Sequence, residues 1–299
     1  MGNLIHTIAS DGSCICVAAD TTDIVAAAEQ YHKTSEVVTA ALGRLLTAAS
    51  IMGSQMKNQQ DSVTLRLAGG GPAGTLIAVS DSQGNPRGYV ENPIVELPLN
   101  PQGKLDVAGA VGKNGTLSVI RDVGGKEPAS GYVPLISGEI AEDITSYFAV
   151  SEQIPTVCAL GVLVNPDLTV RAAGGYLIQL LPGAGEGTID RIERNLQGVL
   201  PVSTMVDQGM TPMEIAQTVL AGFDPQVLEE RRISYRCNCS RQRVQRALLS
   251  LGRQELESLL EKEREVQVEC HFCDKKYLFS ASELRALLEH VEQKGEGAV

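Results

Sequence analysis

Tryptophan is absent from the sequence, aromatic residues make up only 4% of it, and there are four histidines. No run of about 18 uncharged apolar residues occurs, and the first residues carry no basic segment, so neither membrane insertion nor secretion is expected. The histidines are scattered, and we find no lysine-bearing phosphate loop, nucleophile elbow or His-Glu metal motif. The sequence therefore indicates no set of side chains that would converge in a catalytic site. We predict a cytoplasmic protein that is not an enzyme.

Size, net charge and cysteine content further limit the kinds of protein that this sequence can encode. Hydrophobic residues account for 43% of the 299 residues, which is enough for a substantial core and about two domains. The net charge of −11 creates a field that repels phosphate backbones, so binding of nucleic acid by the whole protein is disfavoured. Seven cysteines in a cytosolic chain are expected to stay reduced or to bind metal, because the cytosol keeps thiols reduced.

The residues before position 180 alternate between short strands and helices. Asp11-Gly12 between two apolar runs predicts a hairpin, and two helices follow, over about 23–32 and from a cap at Thr34 or Ser35. Further strands are predicted at 62–68, 75–79, 116–123, 132–136, 157–164 and 170–179, with a helix at 139–151. Because few crossover helices connect these strands, we predict an α+β core domain over residues 1–179, with largely antiparallel sheets and packed helices.

Residues 180–232, called the linker below, have a helical texture. Thr188 is a candidate cap for a helix that carries Ile192 and Leu196 on one side. A second helix begins more sharply, because Thr211 and Glu214 form a capping box. Three of the six methionines, Met205, Met210 and Met213, fall in this segment, and methionine is common on surfaces that accept varied partners. Two interpretations stay open: a helical linker packed on its neighbours, or one that is also an interaction surface.

The last segment, residues 233–299, contains two closely spaced cysteine pairs, Cys237 with Cys239 and Cys270 with Cys273. A helix is predicted from Ser240 to Leu251 and a second one to about Arg264, and Ser280 with Glu283 forms a capping box before a last helix. The second cysteine pair lies between predicted strands at 265–269 and 277–279, on a turn where backbone amides can point at sulfur. Four cysteine thiolates can bind one tetrahedral zinc ion. A segment of under about 70 residues rarely has a core large enough to fold alone, so a structural metal is expected to stabilise it. Because the four sulfurs leave no open position for water, a zinc hydrolase is not expected. His271 is expected to face outward.

Other motifs have structural interpretations. Cys14 and Cys16 face the same side of a predicted strand, and Cys158 lies in an apolar run, so all three are expected to pack in the core. Residues 69–74 match the spacing of the dinucleotide fingerprint, but a strand pattern follows them, which predicts a glycine-rich turn. A basic cluster adjoins the first cysteine pair and is expected to face the acidic core or solvent; it consists of Arg231, Arg232, Arg236, Arg241, Arg243 and Arg246.

Several segments together resemble one family, the bacterial redox-regulated heat-shock holdases, also called the thirty-three-kilodalton chaperonins. They are Cys237-Asn238-Cys239-Ser240-Arg241, Cys270-His271-Phe272-Cys273 with Lys276-Tyr277, Glu139 to Asp143 with Tyr147-Phe148, Ser151 to Thr156, and Ala172 to Gly175. The resemblance covers essentially the whole chain. It implies an ATP-independent chaperone with an α+β core, a metastable linker and a zinc-binding redox domain, which oxidation converts into a dimeric binder of unfolding proteins.

The zinc ligands expected in the reduced form are Cys237, Cys239, Cys270 and Cys273, with one zinc per chain. On oxidation the expected disulfides are Cys237 with Cys239 and Cys270 with Cys273, because sequence neighbours meet even in an unfolded segment. The expected partners are unfolding client proteins and a second copy of the chain, without nucleotide, nucleic acid or membrane. The main alternative is a zinc-knuckle protein that binds nucleic acid or regulates another protein; a core enzyme with a zinc appendage is a third.

Overall fold

A computed structural model describes residues 1–124, 127–262 and 265–295, and it mixes helices with antiparallel sheets, as predicted. The strands are Gly2–Ile8 (β1), Cys14–Asp20 (β2), Ser62–Ala68 (β3), Thr75–Asp81 (β4), Pro86–Val90 (β5), Thr116–Asp122 (β6), Ala129–Pro134 (β7), Thr156–Val164 (β8), Val170–Leu180 (β9), Gln226–Ile233 (β10), Glu265–Glu269 (β11) and Lys276–Ser280 (β12). The helices are Thr22–His32 (α1), Glu36–Ser54 (α2), Val107–Val111 (α3), Ala141–Tyr147 (α4), Thr188–Leu196 (α5), Val202–Asp207 (α6), Pro212–Val219 (α7), Arg241–Ser250 (α8), Arg253–Lys262 (α9) and Ala281–Gly295 (α10).

Two five-stranded antiparallel sheets form the larger part of the fold. The first has the strand order β10-β1-β2-β9-β8 and the second has the order β5-β4-β3-β6-β7. The hairpin predicted at Asp11-Gly12 is confirmed: β1 and β2 pair, and Gly12 takes a positive φ of 70° in the turn. Residues 69–74 form the turn between β3 and β4, as predicted from the strand that follows them.

Helix α2 is the centre of the main core. It packs against β3, β4 and β5 of the second sheet and against β8 and β9 of the first. Its length and mean hydropathy of 1.4 would satisfy a membrane span, but 94% of its apolar window is buried inside the fold, as in a core helix. Small residues allow this close packing: a Cβ on Gly43 would lie 2.6 Å from a Val25 methyl and 2.9 Å from one of Val162. The main core is therefore built around one apolar helix between two sheets.

The other face of the first sheet is covered by the linker helices α5, α6 and α7. A second hydrophobic cluster, called the linker-side cluster, joins them to the sheet; its buried members are Ile5, Ala9, Cys14, Cys16, Ala18, Tyr176, Ile178, Ile192, Val202, Met205, Ile215, Ala216, Val219, Leu220 and Phe223. Met205 is buried, and Met210 and Met213 pack against the cluster. The capping box at Thr211 and Glu214 is confirmed. Helix α5 is capped differently from the prediction, because Gly187, with φ of 88°, precedes it and Thr188 is its first residue.

The described chain falls into two compact units, residues 1–236 and 237–299. Residues 180–232 belong to the first unit, and their last part is β10, which pairs with β1 at the edge of the first sheet. This strand was not predicted. The division into a core at 1–179, a linker at 180–232 and a zinc domain at 233–299 concerns behaviour on activation, and it stays a prediction.

The second unit contains α8, α9, the β11-β12 hairpin and α10. Its described core consists of Val244, Leu248, Leu256, Val266, Tyr277, Phe279, Leu284 and Leu287. Ser240 caps α8 by accepting the amide hydrogen of Arg243, and Ser280 with Glu283 forms the predicted capping box before α10. The predicted end of α9 at Arg264 lies outside the described residues. Because the core formed by these described residues is small, it provides little apolar burial to stabilise the unit.

Candidate metal centre

The four candidate cysteines come from two separate stretches of the second unit. Cys237 and Cys239 lie in the extended segment before α8, while Cys270 and Cys273 lie in the turn that joins β11 to β12. In that turn the amides of Cys273 and Asp274 donate to the carbonyl of Cys270, at 3.2 and 2.8 Å. Asp274 has a positive φ of 54°, which reverses the chain. The predicted hairpin turn therefore presents both of its cysteines on a tightly bonded loop.

The four sulfur atoms converge. All lie within 4.8 Å of one another, and the Sγ separations are 3.6 Å from Cys237 to Cys270 and 3.5 Å from Cys239 to Cys273. A tetrahedral zinc ion with bonds of about 2.3 Å places its sulfurs about 3.8 Å apart. The spacing and the all-sulfur donor set therefore suit a tetrathiolate metal ion, and the four thiols are only partly buried.

Hydrogen bonds reach several of these sulfurs. The amide of Cys239 donates to Cys237, the amide of Lys275 donates to Cys273, and the hydroxyl of Tyr277 donates to Cys239 Sγ at 3.1 Å. Burial raises the pKa of the Cys237 thiol and raises that of Cys273 to about 11. Burial also acts to raise the pKa of Cys239, but hydrogen bonds from Tyr277 and the neighbouring cysteines lower it overall. Four thiolates this close together repel one another, and a bound cation would offset that repulsion and favour the deprotonated form of each thiol.

Two residues near the four cysteines, His271 and Tyr277, differ in how they relate to the cluster. His271 is exposed, and among the described residues the metal-compatible group consists of the four cysteines alone. Sequence reasoning missed Tyr277 as a contact of the cluster, because its role depends on the register that places it opposite Val268 in the hairpin. Only its position soon after the second pair could have pointed to it.

The basic cluster is partly engaged within each unit. Arg231 donates to the backbone carbonyl of Ser82 and pairs with Glu229 in the first unit. In the second unit, Arg241 pairs with Glu283 and lies 4.3 Å from the centre of the Phe279 ring. Burial and hydrogen bonds, with no arginine, account for the pKa shifts of Cys237, Cys239 and Cys273. These contacts leave fewer guanidinium groups for a phosphate backbone.

The fold and the cluster define a class: an α+β protein with a small C-terminal unit that holds four convergent thiols. The family model described as Hsp33 protein matches residues 2–280. Similar curated proteins, each named 33 kDa chaperonin, come from Geobacillus sp. (strain WCH70), 48% identical over 97% of this chain and 98% of the relative, and from Clostridioides difficile (strain 630), 45% identical over 96% and 99%.

A solved structure agrees with these sequence relatives. The crystal structure of the 33 kDa chaperonin (heat shock protein 33 homolog) from Thermotoga maritima matches with a TM-score of 0.88 at 36% identity, over 97% of this chain and 99% of that one. The chain therefore belongs to the Hsp33 family of bacterial chaperones, as the resemblance predicted.

Proposed function

We propose that this chain is an ATP-independent holdase whose activity is switched on by oxidation of Cys237, Cys239, Cys270 and Cys273. The observation that carries the proposal is the convergence of four sulfurs within 4.8 Å in a unit with a small core. In the reduced form these cysteines would hold one zinc ion, which keeps the thiolates together and so stabilises the unit. Clients are unfolding proteins, as expected for the family.

Oxidation by hydrogen peroxide would proceed within each sequence pair. One thiolate attacks a peroxide oxygen and the O–O bond breaks, so that the cysteine becomes a sulfenic acid and hydroxide departs. The second thiolate attacks that sulfur, so that an S–S bond forms and a second hydroxide leaves. Two protons from the medium or the thiols convert the hydroxides to water. The proposed products are disulfides between Cys237 and Cys239 and between Cys270 and Cys273.

Loss of the thiolate ligands would unfold the second unit. A structural zinc site contributes on the order of 10 kcal/mol to a small domain, which is comparable with the whole stability of a domain, about 5–15 kcal/mol. The eight described core residues of the unit offer little replacement. Oxidised protein is therefore expected to lose ordered structure from about residue 237 onward.

The linker is the next part expected to loosen. Helix α5 buries only Thr188 and Ile192, while Ile189 is 51% exposed and Leu200 is 48% exposed. Elements with so little burial open at low cost. Release of α5, α6 and α7 would expose both their apolar stripes and the sheet residues of the linker-side cluster. Unfolding clients would bind to these surfaces without nucleotide, because the driving force is apolar burial.

The decisive experiment compares reduced, zinc-loaded protein with peroxide-treated protein in a client-aggregation assay. We expect suppression of aggregation only after oxidation, with release of one zinc per chain and formation of a homodimer. Addition of ATP should change nothing, and rising salt should not abolish the effect, whereas binding to nucleic acid would weaken steeply. Equal activity of both forms would overturn the redox switch. A cytoplasmic location and the lack of enzymatic activity belong to the same proposal.

A further inference from the structure

Two cysteines outside the metal centre lie beneath the linker. Cys14 and Cys16 are two residues apart on β2, so their side chains point to the same face of the sheet. Both are 0% exposed and belong to the linker-side cluster, and α7 packs on β2. Their cover is therefore supplied by the linker helices and not by the main core between the two sheets.

Cys158 lies in the same sheet and faces the other way. On β8, its neighbours Val157 and Ala159 pack against the linker-side cluster, whereas Cys158 packs against the main core. Side chains of a strand alternate between faces, so release of the linker changes the surroundings of Cys14 and Cys16 and not the core contacts of Cys158. The chain thus contains its own control for any exposure of thiols on the linker face.

We propose that Cys14 and Cys16 form a second thiol site, which becomes reactive when the linker leaves the sheet and then takes up a low-molecular-weight thiol as a mixed disulfide. This inference rests on the proposed function, because it requires the linker to detach. While the linker is docked, burial raises the pKa of both thiols and keeps them protonated, and reagents cannot reach them. Once exposed, they regain ordinary thiol reactivity.

The reaction is a thiol–disulfide exchange with a disulfide R–S–S–R. The deprotonated cysteine sulfur attacks one sulfur of the reagent, a new S–S bond forms, and the reagent bond breaks. The departing R–S⁻ takes up the proton that the cysteine gave up, so the cysteine is oxidised while half of the reagent is reduced. A bond between Cys14 and Cys16 competes poorly, because residues two apart on a strand have Cα atoms about 6.7 Å apart, near the upper limit for a disulfide.

The adduct has a mechanical consequence. In the docked state both side chains are 0% exposed within the linker-side cluster, and an added group of several heavy atoms has no space there. A chain modified at Cys14 or Cys16 cannot return the linker to the sheet. Until that mixed disulfide is itself reduced, the chain would stay able to bind clients, even where the metal centre has already been reduced and reloaded with zinc.

Labelling with N-ethylmaleimide, mapped by mass spectrometry, tests the exposure. We expect Cys14 and Cys16 to react at least about 100-fold faster in peroxide-activated protein than in reduced protein, and Cys158 to react at the same rate in both. If Cys14 and Cys16 do not react faster, the inference is overturned, whatever the aggregation assay shows. Activated protein that suppresses aggregation with both thiols still protected would leave the proposed function standing and remove only this second site. Oxidised protein that fails to suppress aggregation would count against the proposed function instead.

A second experiment tests the chemistry and its consequence, on a Cys158→Ala background. Activated protein is treated with hydroxyethyl disulfide, and mass mapping should find the adduct on Cys14 or Cys16; its absence from both would overturn the uptake of a thiol. A parallel sample is treated with N-ethylmaleimide, then reduced and reloaded with zinc. We expect it to keep suppressing aggregation, whereas the Cys14→Ala, Cys16→Ala double variant returns to the inactive state after the same treatment. Full return of the labelled protein to inactivity would overturn the block on docking.

Discussion

The hydroxyl of Tyr277 donates a hydrogen bond to the sulfur of Cys239, across 3.1 Å. A hydrogen bond to a thiolate stabilises its negative charge and lowers its readiness to attack an oxidant. Tyr277→Phe removes the donor and leaves the ring in the small core. We expect peroxide to release zinc about threefold to tenfold faster from this variant, followed with a metal-sensitive dye. Tyr132→Phe, at an exposed position of β7, is the control, and equal release from all three proteins would contradict the prediction.

Single Cys→Ser substitutions test the metal centre. Each of Cys237, Cys239, Cys270 and Cys273 contributes one sulfur to the cluster, so each variant should lose its zinc and destabilise the second unit by several kcal/mol. Metal analysis and hydrogen exchange over residues 237–262 and 265–295 provide the measurements. Cys158→Ala should keep one zinc per chain. Full zinc retention in the four variants would contradict the proposal that these cysteines bind the zinc.

Gly161 tests whether linker docking holds the protein inactive. A Cβ at this position of β8 would lie 2.8 Å from Oγ and Cβ of Ser203, at the start of α6. Gly161→Val should push α6 away at a cost of about 1–3 kcal/mol while the metal centre keeps its zinc. We expect partial suppression of aggregation without any oxidant.

The matched control for Gly161→Val is Gly185→Val. Gly185 also lies in the linker, but a Cβ there meets no atom within 4 Å. This variant should remain inactive until oxidised. If Gly161→Val protein exchanges its linker amides faster and still fails to suppress aggregation, release of the linker is not sufficient for activity.

His6 makes the first sheet sensitive to acid. Its Nε2 lies 2.9 Å from Ser54 Oγ, and burial, together with the charge of Arg231, lowers its pKa from 6.5 to about 4. Between these values the unfolded state binds more protons than the folded state, so stability falls as the pH drops from about 6.5 towards 4 and is fully present above 6.5. The expected loss at pH 5 is about 2 kcal/mol. Hydrogen exchange in β1 at pH 7 and pH 5 measures it, and His6→Gln should remove most of the difference; an unchanged difference would exclude His6 as the cause.

Elements with a clear local pattern were predictable from the sequence. Strands β3 and β11 were predicted with their observed bounds, because apolar alternation and flanking turn residues define them locally. Strand β10 was missed because it is a charged edge strand, Gln226–Ile233, whose pairing with β1 supplies most of its order. The predicted helix at 139–151 ends instead as α4 followed by a π-helical turn, Phe148–Glu152, and no residue pattern indicated that change.

Some features of the candidate site were also predictable from the local sequence, while others depend on the fold. Close spacing within each pair of cysteines made the four candidate ligands predictable from the sequence, since that spacing is a local property of the chain. The sulfur distances between the two pairs and the contact of Tyr277 with Cys239 depend on the folded hairpin. Burial of Cys14 and Cys16 was also predicted, but the sequence does not tell which layer covers them, because both faces of the first sheet are apolar.

Pairing of β10 with β1 has a consequence for how the switch resets. The chain leaves the first sheet at the end of β9 and rejoins it at the start of β10, so the helical part of the linker, residues 181–225, forms a loop tethered at both ends. A released segment that is tethered in this way meets its docking surface at an effective concentration in the millimolar range or above, independent of protein concentration. Under the proposed mechanism, re-docking should therefore be rapid and first order once the metal centre is restored, and a bound client would compete with the chain's own linker for the same sheet.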